Sequence, residues 1–257
     1  MVGADGGLIA PCGGAYGPHI HRCECGRTTM SHSQKHALIV GASRGLGLGL
    51  AETFLRRGWQ VTATRRGAAP GLERLAAEGV RVETVDIDDD ASVAALHERT
   101  RREQFDLVFV VAGVLIEAEK PLNAVARAVH AQVYLTNAVS PILFADAFAG
   151  TLAPGGTLAF MSSVLGSVGL NTEGGWENYR ASKAALNTNA RSFAARHADR
   201  AFGVLLLHPG WVATDMGGKG ADLDVATSAA GLADVIEARA GRTDLAFLDH
   251  RGETLPW

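Results

Sequence analysis

The chain has 257 residues, of which 47% are hydrophobic and 20% charged, and its formal net charge at pH 7 is −3. That length suits one large domain or two small ones and supplies enough apolar residues for a sizeable core. The near-neutral balance without a basic stripe excludes a nucleic-acid or membrane-surface binder. No apolar run reaches the roughly 18–20 residues of a membrane span. The Gly-rich start also lacks the basic stretch and apolar core of a secretory signal. A cytoplasmic protein with no membrane or nucleic-acid partner is therefore expected.

Residues 1–35 read as an appendage, rich in Gly and His with little hydrophobic periodicity, and disorder or weak order is expected there. All three cysteines, Cys12, Cys23 and Cys25, lie in it, which leaves the rest of the chain free of disulfides and suits a reducing compartment. The segment HIHRCEC places His19, His21, Cys23 and Cys25 at spacings poor for a zinc site, so no metal is expected. Met30 is an alternative start, because regular patterning begins within ten residues of it.

From His36 the chain alternates between two periodicities. ALIVGA reads as a buried strand, LGLGLAETFLRRG as a helix ending at Gly58, WQVTATRR as a strand and GLERLAAEG as a short helix. VRVETVDI alternates as a strand, and the aspartates of DDDASVAALHERTRRE are placed to cap a helix. FDLVFVVAG is an apolar strand, residues 122–149 are mostly helical with an interruption at Pro141, and GGTLAFMSS is a strand. Helix over 176–200, strand AFGVLLLHPG, helix over 224–240 and strand DLAFLD complete the series. About seven near-continuous apolar strands alternating with helices predict a single doubly wound (Rossmann) α/β domain over 36–257, with a mostly parallel seven-stranded sheet. Such folds bind ligands at the carboxyl ends of their strands.

The first strand runs straight into GASRGLG, with Gly41, Gly45 and Gly47 around Ser43, Arg44 and Leu46. The spacing differs from G-x-G-x-x-G but offers the same physics. Glycines permit a tight turn and close approach of a pyrophosphate, and the helix N-terminus presents free N–H groups and a positive dipole end. The second strand ends in Arg65 and Arg66 with no carboxylate, where an acidic residue would hold the ribose hydroxyls and an arginine a 2′-phosphate. With Arg44 in the glycine turn, these guanidiniums favour NADP(H) over NAD(H). Asp86, at the end of the third strand, either meets the adenine or serves its own loop as a cap.

GASRGLG, FMSS, YRASK and HPGWVATDM occur in the order and contexts of the short-chain dehydrogenase/reductase family, and the likeness covers about residues 36–257. The texture of GGWENYRASKAALN and HPGWVATDMGG resembles that family's C-factor-like and sniffer-like carbonyl reductases. The resemblance implies a Ser–Tyr–Lys core with a supporting Asn: Tyr179, Lys183, Ser163 (chosen over Ser162 as the second serine of its pair) and Asn137. It also implies that Ala112 and Gly113 approach the cofactor, that Pro209 and Gly210 lie at the nicotinamide, that Thr214 meets its carboxamide or phosphates, and that Lys183 also holds the ribose.

Carbonyl reduction needs a hydride on carbon and a proton on oxygen. A phenol with a pKa of about 10 beside an ammonium is expected to be lowered toward working pH. Ser163 would stabilise charge on the carbonyl oxygen, and Asn137 would help place Lys183 through water. One departure is VVAG at Val110–Gly113, where the family has NNAG, and a stability cost is expected from the lost amide. Trp176 and Trp211 either wall the substrate or pack ordinarily. His208 reads as a satisfied core histidine, and loop 215–224 is a candidate lid. The reading is a carbonyl or alcohol oxidoreductase, homodimeric or homotetrameric. Its rival is a non-catalytic nucleotide-binding sensor of the same fold.

Overall fold

The computed structural model describes residues 34–218 and 220–257. The expectations for the appendage, its histidine–cysteine segment and Met30 lie outside the described residues. Seven strands form one sheet in the order β3-β2-β1-β4-β5-β6-β7: β1 His36–Val40, β2 Gln60–Arg65, β3 Arg81–Thr84, β4 Phe105–Val110, β5 Leu152–Met161, β6 Phe202–His208 and β7 Leu245–Asp249. Every adjacent pair is parallel, so the sheet is wholly rather than mostly parallel.

Alternation along each strand divides the core into two layers. On β1, Ala37 and Ile39 face α1 (Gly45–Arg56), where Leu50 and Phe54 are fully buried, together with α2 (Pro70–Ala77) and α7 (Val225–Ala238). Leu38 and Val40 face the other layer, built from α3 (Asp90–Thr100), α5 (Ser140–Phe148) and α6 (Glu177–Arg196), with α4 (Arg127–Tyr134) against α6. Phe144 and Phe148 stack there at 4.3 Å, with Phe193 of α6 beside them in the same cluster. A sheet covered on both faces explains why its strands read as unbroken apolar runs.

Two boundaries differ from expectation. VRVETVDI pairs only over Arg81–Thr84, because β3 is the sheet edge and the chain turns away after it. The interruption in residues 122–149 comes earlier than Pro141, as a π-helical turn at Leu135–Val139 between α4 and α5. Pro141 has no N–H to give the Asn137 carbonyl four residues back, so a regular helix cannot run through this point. The chain order reverses at β1, whose neighbours are β2 and β4, and this opens a crevice at their carboxyl ends.

Candidate active site

A cleft of about 480 Å³ occupies that crevice, within the size range of small-molecule sites. Its floor is the turn after β1. Gly41 has φ +92°, and a Cβ there would lie 2.8 Å from the Ala112 backbone; a Cβ on Gly47 would lie 2.1 Å from the Gly41 carbonyl oxygen. Only glycine fits either position. Ser43, Arg44, Gly45 and Leu46 complete this wall. The α1 N-terminus has no side-chain cap and no acidic residue in its first turn, so its free N–H groups and dipole are unneutralised. Gly41 is held by its N–H donating to Thr64 Oγ1 at 3.0 Å, a contact that the glycine pattern alone did not announce. The donor set fits a pyrophosphate.

Arg65, Arg66 and Asp86 line the same cleft. The carboxylates missing from the β2 end arrive from elsewhere: Arg65 pairs with Glu73 of α2 at 2.5 Å, and Arg66 lies 3.9 Å from Asp86. Arg44 reaches across the mouth to Asp215 at 2.9 Å. All three pairs are open to solvent, where an ion pair contributes little, so a 2′-phosphate can compete for the guanidiniums.

At the other end, Val111, Ala112 and Gly113 line the cleft, and the Val111 and Ala112 N–H groups both donate to the Val40 carbonyl. These backbone bonds to β1 hold the segment where the asparagine side chain is absent. Gly113 lies against two buried groups, since a Cβ on it would be 3.1 Å from Asn137 Oδ1 and 3.7 Å from Lys183 Nζ. Asn137 sits in the π turn. Its Oδ1 accepts the Val114 N–H at 2.8 Å, and its Nδ2 donates to the Val114 carbonyl at 2.9 Å and to Ser182 Oγ at 3.1 Å. Ser182 in turn donates to the Tyr179 carbonyl at 2.8 Å.

Tyr179 and Lys183 fall one turn apart on α6. Lys183 Nζ stands 5.6 Å from the centre of the Tyr179 ring and donates to the Met161 carbonyl at the end of β5 at 2.9 Å. The two serines after Met161 are separated by their partners. Ser162 donates to Asn187 Oδ1 of α6 at 2.6 Å, whereas Ser163 caps a short 3₁₀ turn, Val164–Gly166, accepting the Leu165 N–H at 3.1 Å. Gly166 is pressed on the Lys183 backbone, where a Cβ would come within 2.9 Å of the carbonyl carbon. Ser182 and Asn187 were both visible in YRASKAALN, but nothing in their spacing assigned them.

The expected lowering of the Tyr179 pKa does not occur in this structure. Burial pushes the phenol up to about 12 and the Lys183 ammonium down to about 8. Desolvation disfavours each charged form, and the ammonium spends a donor on the Met161 carbonyl. At neutral pH the phenol therefore keeps its proton and the lysine its charge.

The sequence model of the short chain dehydrogenase family matches residues 35–222. The chain belongs to this family. It is 38% identical over 138 residues to the C-signal protein of Myxococcus xanthus, covering 53% of this chain and 83% of that one. Its fold is similar to that of a carbonyl reductase from Pseudomonas aeruginosa PAO1 solved in complex with NADP, at 40% identity and TM-score 0.82, covering 88% of this chain and all of that one. It is likewise similar to the carbonyl reductase Sniffer of D. melanogaster, at 31% identity and TM-score 0.78, with the same coverage.

The remaining positions of this short-chain dehydrogenase divide between wall and scaffold. Thr214 lines the cleft and also caps the next turn, accepting the Gly217 N–H at 3.0 Å. Pro209 and Gly210 are not on the cleft wall: the Pro209 carbonyl accepts from Ser228, and Gly210, at φ +82°, packs on Leu223 and His250. The two flanks of loop 215–224 are joined at its base, where the Ala213 N–H donates to the Leu223 carbonyl and the Leu223 N–H to the Trp211 carbonyl. Trp176 stands edge-on to Tyr179 at 6.4 Å and Trp211 is half exposed, so neither packs as core. His208 is half-buried and not satisfied: its Nδ1, shielded from solvent, has no partner among the described residues, and desolvation beside His250 takes its pKa down to about 4.

Proposed function

We propose that this short-chain dehydrogenase is an NADP(H)-dependent carbonyl or alcohol oxidoreductase in which Tyr179 is the acid–base residue. The observation that carries the reading is the stack of Tyr179 and Lys183 on one face of α6, with Lys183 Nζ against Gly113 and Met161 at the end of a glycine-floored cleft. The bound nicotinamide would supply the hydride. Gly41, Ser43, Gly45, Leu46 and Gly47 would hold its pyrophosphate. Arg44, Arg65 and Arg66 would hold the 2′-phosphate that sets NADP apart, a choice supported by the NADP in the Pseudomonas relative. Asp86 would meet the adenine, and Ala112, Gly113 and Thr214 would flank the nicotinamide.

The chain's own part is proton handling and orientation. Ser163, whose proton has no acceptor among the described residues, would donate it to the substrate's carbonyl oxygen as a hydrogen bond. Tyr179, protonated at neutral pH, would pass its proton from Oη to that oxygen. The Lys183 ammonium would stabilise the resulting phenolate and fix the ribose, with Asn137 holding the Gly113–Val114 edge against α6. A phenol with a high pKa gives its proton readily only to an acceptor more basic still, as the alkoxide formed by hydride addition is. Exposed Leu135 and Leu143 on the α4–α5 side give an apolar face for a homodimer or homotetramer. NADPH oxidation against a panel of carbonyls, beside an NADPH binding titration, tests the reading. Binding without turnover on any carbonyl would favour a nucleotide sensor.

A further inference from the structure

Asp88 follows β3 on the cleft wall, half-buried; the sequence offered it only as one of three aspartates placed to cap a helix, and Asp89 takes that cap. Its two oxygens take hydroxyls from two different turns of the neighbouring helix. Thr136 Oγ1 donates to Oδ2 at 2.6 Å and Ser140 Oγ to Oδ1 at 2.6 Å. Gln132 Nε2 adds a bond to Oδ2 at 3.2 Å and another to Thr136 Oγ1 at 2.7 Å. Positions 132, 136 and 140 succeed one another at four-residue steps, so they form one stripe, and Thr136 and Ser140 are both buried. Bonds this short to a carboxylate are the strong kind.

The stripe spans the π turn, and Asn137 lies inside it. A π turn carries one residue more than the regular helix allows and needs outside support. Asp88 grips it from the β3 side, while the Asn137 amide faces the opposite way, onto Val114 and Ser182. The loop that bears Asp88 also bears Asp86, whose Oδ1 accepts the Asp88 N–H at 3.1 Å. One short segment thus joins the proposed adenosine end of the cleft to the turn that holds its reacting end.

We propose that Asp88 is a positioning residue: by clamping Thr136 and Ser140 it sets the register of the π turn and so places the Asn137 amide on Val114 and Ser182. The proposal rests on the reading that Tyr179, Lys183 and Asn137 form the reacting centre. A carboxylate that only stabilised the fold would lower the melting temperature and leave kcat alone. One that only touched adenosine would weaken NADPH binding and leave kcat alone.

The test uses the full-length protein with Asp88→Ala, Asp88→Asn, Asn137→Ala and the double variant Asp88→Ala/Asn137→Ala. Asp88→Ala is expected to lower kcat about tenfold or more, as misplacement of a reacting group does, with the NADPH dissociation constant within about threefold. Asp88→Asn, which keeps an acceptor oxygen, recovers part of the loss. The double variant is no slower than Asn137→Ala, since both act through one unit. Hydrogen exchange of the Val114 amide, measured without cofactor or substrate, is expected to quicken in Asp88→Ala. If Asp88→Ala does not fold, Thr136→Val and Ser140→Ala each remove one clamp bond and carry the same expectations. Unchanged Val114 exchange overturns the proposal, as do a loss confined to NADPH binding and losses that multiply in the double variant. A wild-type protein without turnover defeats the oxidoreductase reading instead, and the Val114 exchange still decides the clamp.

Discussion

Ser162 and Asn187 share a buried hydrogen bond of 2.6 Å that fastens the end of β5 to the helix carrying Tyr179 and Lys183. Asn187 continues the tie by donating to the Gly166 carbonyl at 3.4 Å. Ser162 is thereby committed to the scaffold, and Ser163 is the serine left for substrate.

The two serines are expected to separate by assay. Ser162→Ala leaves a buried amide oxygen without its donor, at a cost of about 1–3 kcal/mol. The melting temperature should fall by roughly 2–4 °C for each kcal/mol, with kcat changed less than in Ser163→Ala. Ser163→Ala removes only the cap acceptor for the Leu165 N–H, so it should melt closer to the wild type than Ser162→Ala, and it should lose about 100-fold in kcat. Differential scanning fluorimetry with steady-state rates checks both, and the reverse assignment would show as reversed columns.

Cofactor choice is expected to follow the guanidiniums. Replacing Arg65 and Arg66 together with alanine should raise the KM for NADPH by about 10- to 100-fold, the worth of one or two charged hydrogen bonds, and leave the KM for NADH nearly unchanged. Asp215→Asn frees Arg44 from its 2.9 Å partner and should tighten NADPH binding modestly. A wild-type preference for NADH would contradict this account of the arginines.

The pH profile distinguishes lysine from tyrosine. With the Lys183 pKa taken down to about 8 by burial and Tyr179 up to about 12, the ammonium is the group lost first as pH rises. The kcat/KM for reduction should be level below pH 8 and fall above it, since that ratio reports the free enzyme's groups. A profile level to pH 10 would show that Lys183 keeps its proton against burial.

Acid stability is expected to follow His36 and His208. Burial takes His36, hydrogen-bonded to Thr62 at 2.9 Å, down to about 4, and His208 to about 4 as well. Between pH 6.5 and 4 the unfolded chain therefore binds protons that the folded chain refuses. The stabilisation is complete above pH 6.5 and is lost as pH falls through that window. Urea midpoints should drop steadily from pH 7 to 4.5, and His208→Gln should flatten the slope. Equal midpoints across that range would contradict it.

Strands and cleft were legible in the sequence because apolar runs, glycine spacing and the strand-end arginines are local signals. Gly41 and Gly47 are required by contacts that any residue with a Cβ would violate, so the chain advertises them. The π turn was not legible: Pro141 announced a break, but its placement at Leu135–Val139 depends on Asp88 and Val114, which lie far away in the chain. Glu73 and Asp215 were unread partners for the same reason. The Tyr179 pKa was read in the wrong direction, because spacing shows a neighbouring charge and does not show burial. His208 was read as satisfied, although only the fold reveals that its Nδ1 faces no partner.

The most direct test is Tyr179→Phe, which removes one oxygen and keeps the ring against Trp176 and Lys183. The account predicts a fall in kcat of about 100-fold or more for reduction of any carbonyl the wild type accepts, the worth of a positioned general acid, with NADPH bound as tightly as before. Turnover surviving within about threefold would contradict it.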